Sequence, residues 1–251
     1  ERTPWRLYFY DVGHRERSFW TAEYAAPVID AQVRELASRF EYWPQEPFSY
    51  ILFSSYREFQ QANVFFIDEG VQGITSTQEP TMAIPYWGER ETFRHISHHE
   101  LVHQFQVQKL KSLSQGLPFE VRPIPLWLIE GMAEYFSLKG VDSESLAMLR
   151  DLYFNFSEKP DSKNELMDFF APGPMDFQHV YKLGQLKIAF IEEGWGGSML
   201  QRIFESCGST LGSADAPTLE SVFTRHLGIG VEQIQARWKK FLDARLLRGF
   251  E

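Results

Sequence analysis

The segment Arg94–Phe105, RHISHHELVHQF, contains four of the seven histidines in this 251-residue chain. Apolar residues within and after it are distributed around the whole circumference of a helix. The pattern predicts a long buried helix from about Glu91 to Ser114, where glycine and proline follow. Polar side chains on a buried helix need partners, so the imidazoles and Glu100 strongly restrict what the chain can fold into.

Two of these histidines, His99 and His103, stand one turn apart on the same face of the predicted helix. Their ring nitrogens can therefore converge on one metal ion. Glu100 follows the first histidine and borders that site, where a carboxylate can take a proton from a metal-activated water. Burying this carboxylate unpaired would cost several kcal/mol, and a nearby cation would compensate.

The other two histidines have less specific interpretations. His95 lies one turn before His99, but no glutamate follows it, so we expect it beside the ligands or in the core. His98 points away from the face shared by His99 and His103, and we expect it on the helix surface. The alternative for the whole segment is a helix with surface histidines and no metal.

A catalytic zinc site usually has three protein ligands and keeps one position for water. A metzincin would supply a further histidine and a glycine after the motif. This chain has Lys109 and Gln106 at those places, which excludes a metzincin.

The next helix offers a better third ligand. In PLWLIEGMAEYF, Glu130 and Glu134 lie four residues apart on one face of an otherwise apolar segment that is predicted to be helical to near Gly140. We predict Glu130 as the ligand and Glu134 as a residue that accepts a hydrogen bond from a ligating histidine. Gly131 would let the two helices of the site approach closely.

These two motifs, His99-Glu100-x-x-His103 and WLIEGMAEY, resemble those of the gluzincin peptidases, most of all the bacterial peptidase MA-type branch. The resemblance implies a Zn²⁺ ion held by His99, His103 and Glu130, with Glu100 as general base and Glu134 behind a ligand. It extends over most of the chain, but only the two motifs are specific. The 26 residues between His103 and Glu130 (130 − 103 − 1) exceed the usual gap, so the loop Gln115–Pro125 between the two helices is expected to border the substrate cleft.

The predicted fold is α+β and zincin-like, in a single metallopeptidase domain, 1–251. An α/β lobe, 1–115, would carry the HExxH helix, and a helical lobe, 116–251, would carry the third ligand. The predicted strands are Trp5–Asp11, Phe48–Ser55, Gly70–Ser76 and Thr81–Trp87. A helix is predicted at Trp20–Phe40, kinked or begun near Pro27, and a short helix around YREFQQ after the second strand. Thr81–Trp87 would be the edge strand along which an extended peptide lies, the alternative being an interior strand.

The resemblance also suggests how the oxyanion would be stabilised and which peptides would be cleaved. Gluzincins use a Tyr or His from the helical side, and here Tyr181 is the first choice and His179 the second. The alternative is that Tyr181 is an aromatic residue packed within a helix, since the chain has 10 tyrosines. Gluzincin aminopeptidases have a G-x-M-E-N string before the zinc helix, whereas Met82 is followed here by Ala83. An endopeptidase or a peptidase of narrow specificity is therefore expected rather than an aminopeptidase.

Composition excludes several other classes of protein. The net charge is −9 and no Lys/Arg cluster occurs, which argues against nucleic-acid and anionic-membrane binding. No apolar run approaches the roughly 18 residues of a transmembrane helix. Cys207 is the single cysteine, so an internal disulfide is impossible. The start ERTPW, with neither an initiator Met nor a signal-peptide pattern, is expected for a processed protein or a piece excised from a longer one. The location stays unknown, with an extracytoplasmic one, periplasmic or secreted, favoured.

A different class of function is a zinc-containing binding or scaffold module of a longer protein, beside a propeller-like partner domain for example. Glu100 argues against it, because a purely structural metal site has no need of a base beside its ligands.

Overall fold

The structure is a computed structural model, and it describes residues 3–10, 15–62, 71–86, 88–114, 124–154, 165–171, 177–209 and 217–247. The chain divides into two compact units, an N-terminal unit (Glu1–Ser112) and a C-terminal unit (Leu113–Glu251). Each is described by itself. The single domain expected over 1–251 stays a prediction.

The N-terminal unit alternates strands and helices in the order the sequence predicts. Its elements are β1 (Trp5–Tyr10), α1 (Arg15–Arg39), β2 (Phe48–Phe53), α2 (Tyr56–Ala62), β3 (Ile74–Thr75), β4 (Thr81–Pro85) and α3 (Arg90–Leu113). Pro27 lies inside α1, which begins earlier than expected. The helix predicted from about Glu91 to Ser114 is confirmed as α3.

The four described strands form one mixed sheet in the order β1-β2-β4-β3. β1, β2 and β4 are parallel, while β3 pairs antiparallel with β4 through Thr75 opposite Met82. The assignment of Thr81–Trp87 to the sheet edge was therefore wrong, because β4 has a neighbour on each side. Among the described strands, β1 and β3 are the edges.

The burial of α3 explains why its apolar residues have no single face. Seven of them are nearly inaccessible to solvent: Phe93, Ile96, Leu101, Val102, Phe105, Val107 and Leu110. His98 is only 3% exposed, so its placement on the helix surface was wrong. On a helix covered on all sides, pointing away from the His99/His103 face does not mean pointing into solvent.

Buried polar contacts attach α3 to α1 just before the histidine pair. Ser97 Oγ donates to Gln32 Oε1 at 2.6 Å, and Gln32 Nε2 donates to the backbone carbonyl of Arg94 at 2.7 Å. Both side chains are buried, so each hydrogen bond replaces one lost to water. The contacts restrain the rotation of α3 and thereby the direction of the face that carries His99 and His103.

The described part of the C-terminal unit consists of helices and their connections, as predicted. The helices are α4 (Leu126–Ser137), α5 (Ser143–Phe154), α6 (Phe177–Trp195), α7 (Gly197–Ser209), α8 (Leu219–Leu227) and α9 (Val231–Leu246). Aromatic rings fill its core around Phe169, which contacts Trp127, Phe190, Phe223 and Trp238. With the mixed sheet of the first unit, this confirms the α+β class. The loop predicted at 115–125 lies outside the described residues except for its last two.

Two glycines set the crossing of α4 and α6. A Cβ on Gly131 would lie 2.5 Å from the backbone of Gly184, and a Cβ on Gly184 would lie 2.5 Å from the carbonyl of Trp127. Gly131 therefore allows α4 to approach α6 closely. The sequence had instead led us to expect that it allows the HExxH helix and α4 to approach each other. The crossing fixes the faces of α4 and α6 that carry Glu134 and Lys182.

Replacing Gly131 by alanine should destabilise the protein by about 1–3 kcal/mol, because the new methyl group meets backbone that cannot rotate away. Gly194→Ala is the matched control, since a Cβ on this residue of α6 meets nothing within 4 Å. That control should be neutral or stabilise by up to about 1 kcal/mol through helix propensity. Urea unfolding of both variants makes the comparison, and equal stabilities would contradict the tight crossing.

The aromatic core of the C-terminal unit contains a buried amine. Lys187 on α6 is fully buried, and its Nζ donates to the carbonyl of Ala171 at 2.8 Å and lies 4.9 Å from the ring centre of Trp127. Burial lowers the pKa of Lys187 to about 7, although Asp168 and Glu165 act in the opposite direction. The Lys187 amine therefore binds its proton less tightly in the folded protein than in the unfolded chain.

This difference predicts a pH-dependent gain from Lys187→Met. The folded pKa of about 7 lies below the ordinary 10.5, so the lysine destabilises the fold by about 5 kcal/mol below pH 7 and by progressively less as pH rises toward 10.5. The stability advantage of the variant should shrink by about 2–3 kcal/mol between pH 6 and pH 9. Urea unfolding at both pH values measures it, with exposed Lys239→Met as the control. A pH-independent advantage would contradict the prediction.

None of the helices in the described ranges combines the length and the apolar character that crossing a membrane requires.

Candidate metal centre

The histidine pair on α3 has the geometry of two ligands of one ion. The Nε2 atoms of His99 and His103 are 3.1 Å apart, and their ring centres are 4.8 Å apart. Two nitrogens bound tetrahedrally to one zinc at about 2.0–2.1 Å are separated by about 3.3–3.4 Å. The one-turn spacing thus brings the two imidazoles together as predicted.

Gln106 determines which nitrogen of His103 is available. Nδ1 of His103 donates to Oε1 of Gln106 at 2.9 Å, and the glutamine is buried. The proton on Nδ1 leaves a lone pair on Nε2, the atom that faces His99. Nε2 can then share a proton with His99 or bind a cation. Gln106 was examined in the sequence only as a missing metzincin glycine, although its position three residues after His103 places it beside that ring.

The third predicted ligand completes a donor group. The ligand atoms of His99, His103 and Glu130 all lie within 4.8 Å of one another, so these residues could hold a metal ion. Two imidazoles and one carboxylate suit zinc and other first-row transition metals, and three protein donors leave a position for water. The three residues therefore fit a metal site, as the sequence predicted. The choice of zinc stays a prediction.

Glu100 lies beside this group and is only 7% exposed. Its Oε2 accepts a hydrogen bond from Thr75 Oγ1 at 2.8 Å, and the same hydroxyl lies 3.0 Å from the backbone carbonyl of Glu100. A Cβ on Gly73 would come within 2.7 Å of the glutamate side chain. Sequence reasoning found Glu100 but missed both neighbours, which are about 25 residues distant along the chain.

A buried phenol lies near the same carboxylate. Burial raises the pKa of Tyr50, and the negative charge of Glu100 acts in the same direction. The Tyr50 phenol is therefore neutral near neutral pH.

On α4, Glu134 is 7% exposed and has a charged neighbour that the sequence did not predict. Lys182 Nζ lies 3.7 Å from Glu134 Oε2 and 3.8 Å from Asp142 Oδ2. Burial alone would raise the pKa of Asp142, but hydrogen bonds from Ser145 and the charge of Lys182 hold it below its ordinary value. The carboxylate of Glu134 is too buried to be a solvated surface charge. That Glu134 accepts a hydrogen bond from a ligating histidine remains a prediction.

The remaining predicted residues have defined positions but no tested role. His95 is half-buried, and its ring centre lies 6.3 Å from that of His99. Tyr181 and His179 lie near the start of α6 and are both half-buried. That Tyr181 or His179 stabilises the oxyanion remains a prediction.

Comparison with protein-family models and with the curated proteins gave no match to this chain. The resemblance to the gluzincins therefore stays an expectation that depends on the two sequence motifs.

Proposed function

We propose that this protein is a zinc-dependent peptidase of the gluzincin kind with a zincin-like fold, acting as an endopeptidase. The observation that carries the proposal is the convergence of His99, His103 and Glu130, with Glu100 buried next to the first of these ligands. Both parts are needed. The three donors can hold an ion, and the carboxylate beside them supplies the base that hydrolysis requires.

Zinc at this site would polarise a substrate carbonyl and make water a stronger nucleophile near neutral pH. Glu100 accepts the proton of the attacking water and then delivers it to the leaving amine. Gln106 keeps His103 in the tautomer whose Nε2 carries a lone pair, and that nitrogen would bind the ion. Tyr181, with His179 as the alternative, donates a hydrogen bond to the oxyanion.

The antiparallel edge strand β3 is the substrate-binding strand in this proposal. β3 pairs with β4 on one side, and no described strand pairs with its other side. It carries Thr75, which touches Glu100. An extended peptide pairing with that free side would run beside the base, held by main-chain hydrogen bonds that demand little of its side chains.

The purified protein should contain close to one zinc per chain and should cleave peptides from a proteome-derived library. Elemental analysis of protein prepared without added metal and mass spectrometry of the library products test the two parts separately. Chelation should abolish cleavage and added zinc should restore it. Tight zinc without cleavage would instead support the scaffold module, whereas protein without zinc, before or after titration, would contradict both.

A further inference from the structure

We propose that Gly73 and Thr75 form a clasp that positions the Glu100 carboxylate for proton transfer. The catalytic part of this inference rests on the proposed function, whereas the structural part does not. Gly73 directly precedes β3 and Thr75 ends it. Residues two apart in an extended chain project to the same side, so both meet α3 while Ile74 projects to the other side.

The hydroxyl of Thr75 holds the glutamate at two points. It lies 2.8 Å from Oε2 and 3.0 Å from the backbone carbonyl of the same residue. The single proton of this hydroxyl is shared between two acceptors, the tip of the Glu100 side chain and the backbone carbonyl of the same residue. A neutral donor orients a carboxylate without cancelling its charge, which a base must keep.

Gly73 closes the other side of the carboxylate. A Cβ at this position would lie 2.7 Å from both Cγ and Oε1 of Glu100 and 2.9 Å from Cδ. The Glu100 side chain therefore occupies the space that a side chain at position 73 would need. Any larger residue would displace the carboxylate from its contact with Thr75.

The clasp matters because a base must lie within hydrogen-bond distance of the proton it takes. A glutamate has three rotatable side-chain bonds, and displacement of about 1 Å can reduce a rate by about 100-fold. Neither clasp residue is a metal ligand. Loosening the clasp should therefore lower kcat while leaving zinc binding and substrate binding unchanged.

Thr75→Val removes the hydroxyl with little change of shape. We expect kcat to fall by about 10–100-fold, with KM and zinc content within about threefold of wild type. Thr75→Ser keeps the hydroxyl and should restore kcat to within about threefold. A wild-type kcat in Thr75→Val, or a serine variant as slow as the valine variant, would overturn the catalytic role.

A second measurement needs no activity. Gly73→Ala should lower Tm by about 2–8 °C in the wild type, and by less than half as much when Glu100 is alanine, because the clashing atoms are then gone. Gly194→Ala should shift Tm equally in both backgrounds. If the wild type cleaves no peptide, the proposed function fails. The double-mutant cycle of Gly73→Ala and Glu100→Ala then decides by itself whether the clasp exists. Equal Tm losses from Gly73→Ala in both backgrounds would overturn the clasp.

Discussion

Glu100→Gln should reduce peptide hydrolysis by at least about 100-fold while the protein stays folded and keeps its zinc. General acid–base catalysis contributes about 10²–10⁴-fold, and this substitution removes the base but no ligand. Glutamine has nearly the same size, and its amide oxygen can still accept the hydrogen bond that Thr75 donates to Glu100. The loss should therefore appear in kcat, with KM and zinc stoichiometry close to the wild-type values.

The matched control is Glu91→Gln, which makes the same change at an exposed glutamate in the first turn of the same helix. It should leave both hydrolysis and zinc content unchanged. A Glu100→Gln variant that hydrolyses peptides at the wild-type rate would show that another group takes the proton. Loss of zinc from that variant would instead mean that Glu100 contributes to metal binding, and the assigned roles would have to change.

Local patterns were sufficient to predict most of the elements and the histidine pair. A spacing of four on a helix determines direction by itself, so His99 and His103 could be paired without knowledge of the rest of the fold. The apolar residues around α3 correctly predicted its burial. The strands predicted at Trp5–Asp11 and Phe48–Ser55 were equally clear, because aromatic residues are concentrated within them. The strand predicted at Gly70–Ser76 has a weaker pattern, and only Ile74–Thr75 of its described part forms a strand.

The errors concern properties that the segment in question does not encode. The order of strands in a sheet depends on all of their connections, and Thr81–Trp87 alone gives no sign that β3 pairs beyond it. The exposure of His98 depends on what covers α3. The clasp residues and Lys182 are distant in sequence from the carboxylates they contact, and only the fold brings them together.

Glu130→Ala should abolish high-affinity zinc binding. Removing one of three donors leaves His99 and His103 as the remaining protein ligands, which is fewer than zinc sites in proteins normally use. The loss should exceed the about 100-fold that removal of an outer hydrogen-bond partner causes. Competitive titration against a chromophoric chelator measures it, and retention of wild-type affinity would show that Glu130 is not a ligand.

Glu134→Gln should weaken zinc binding by about 10–100-fold without eliminating it, if this carboxylate orients a ligating histidine. The neighbouring Lys182 offers a competing explanation, because Glu134 could serve only as its charge partner. In that case the substitution would lower stability by about 1–3 kcal/mol but leave zinc affinity alone. Measuring unfolding of the zinc-free protein beside the zinc titration separates the two roles. A loss of affinity as large as that of Glu130→Ala would identify Glu134 as the ligand and exchange the two assignments. We expect Glu130 to be the more damaging position, because the donor group that could hold the ion includes its carboxylate.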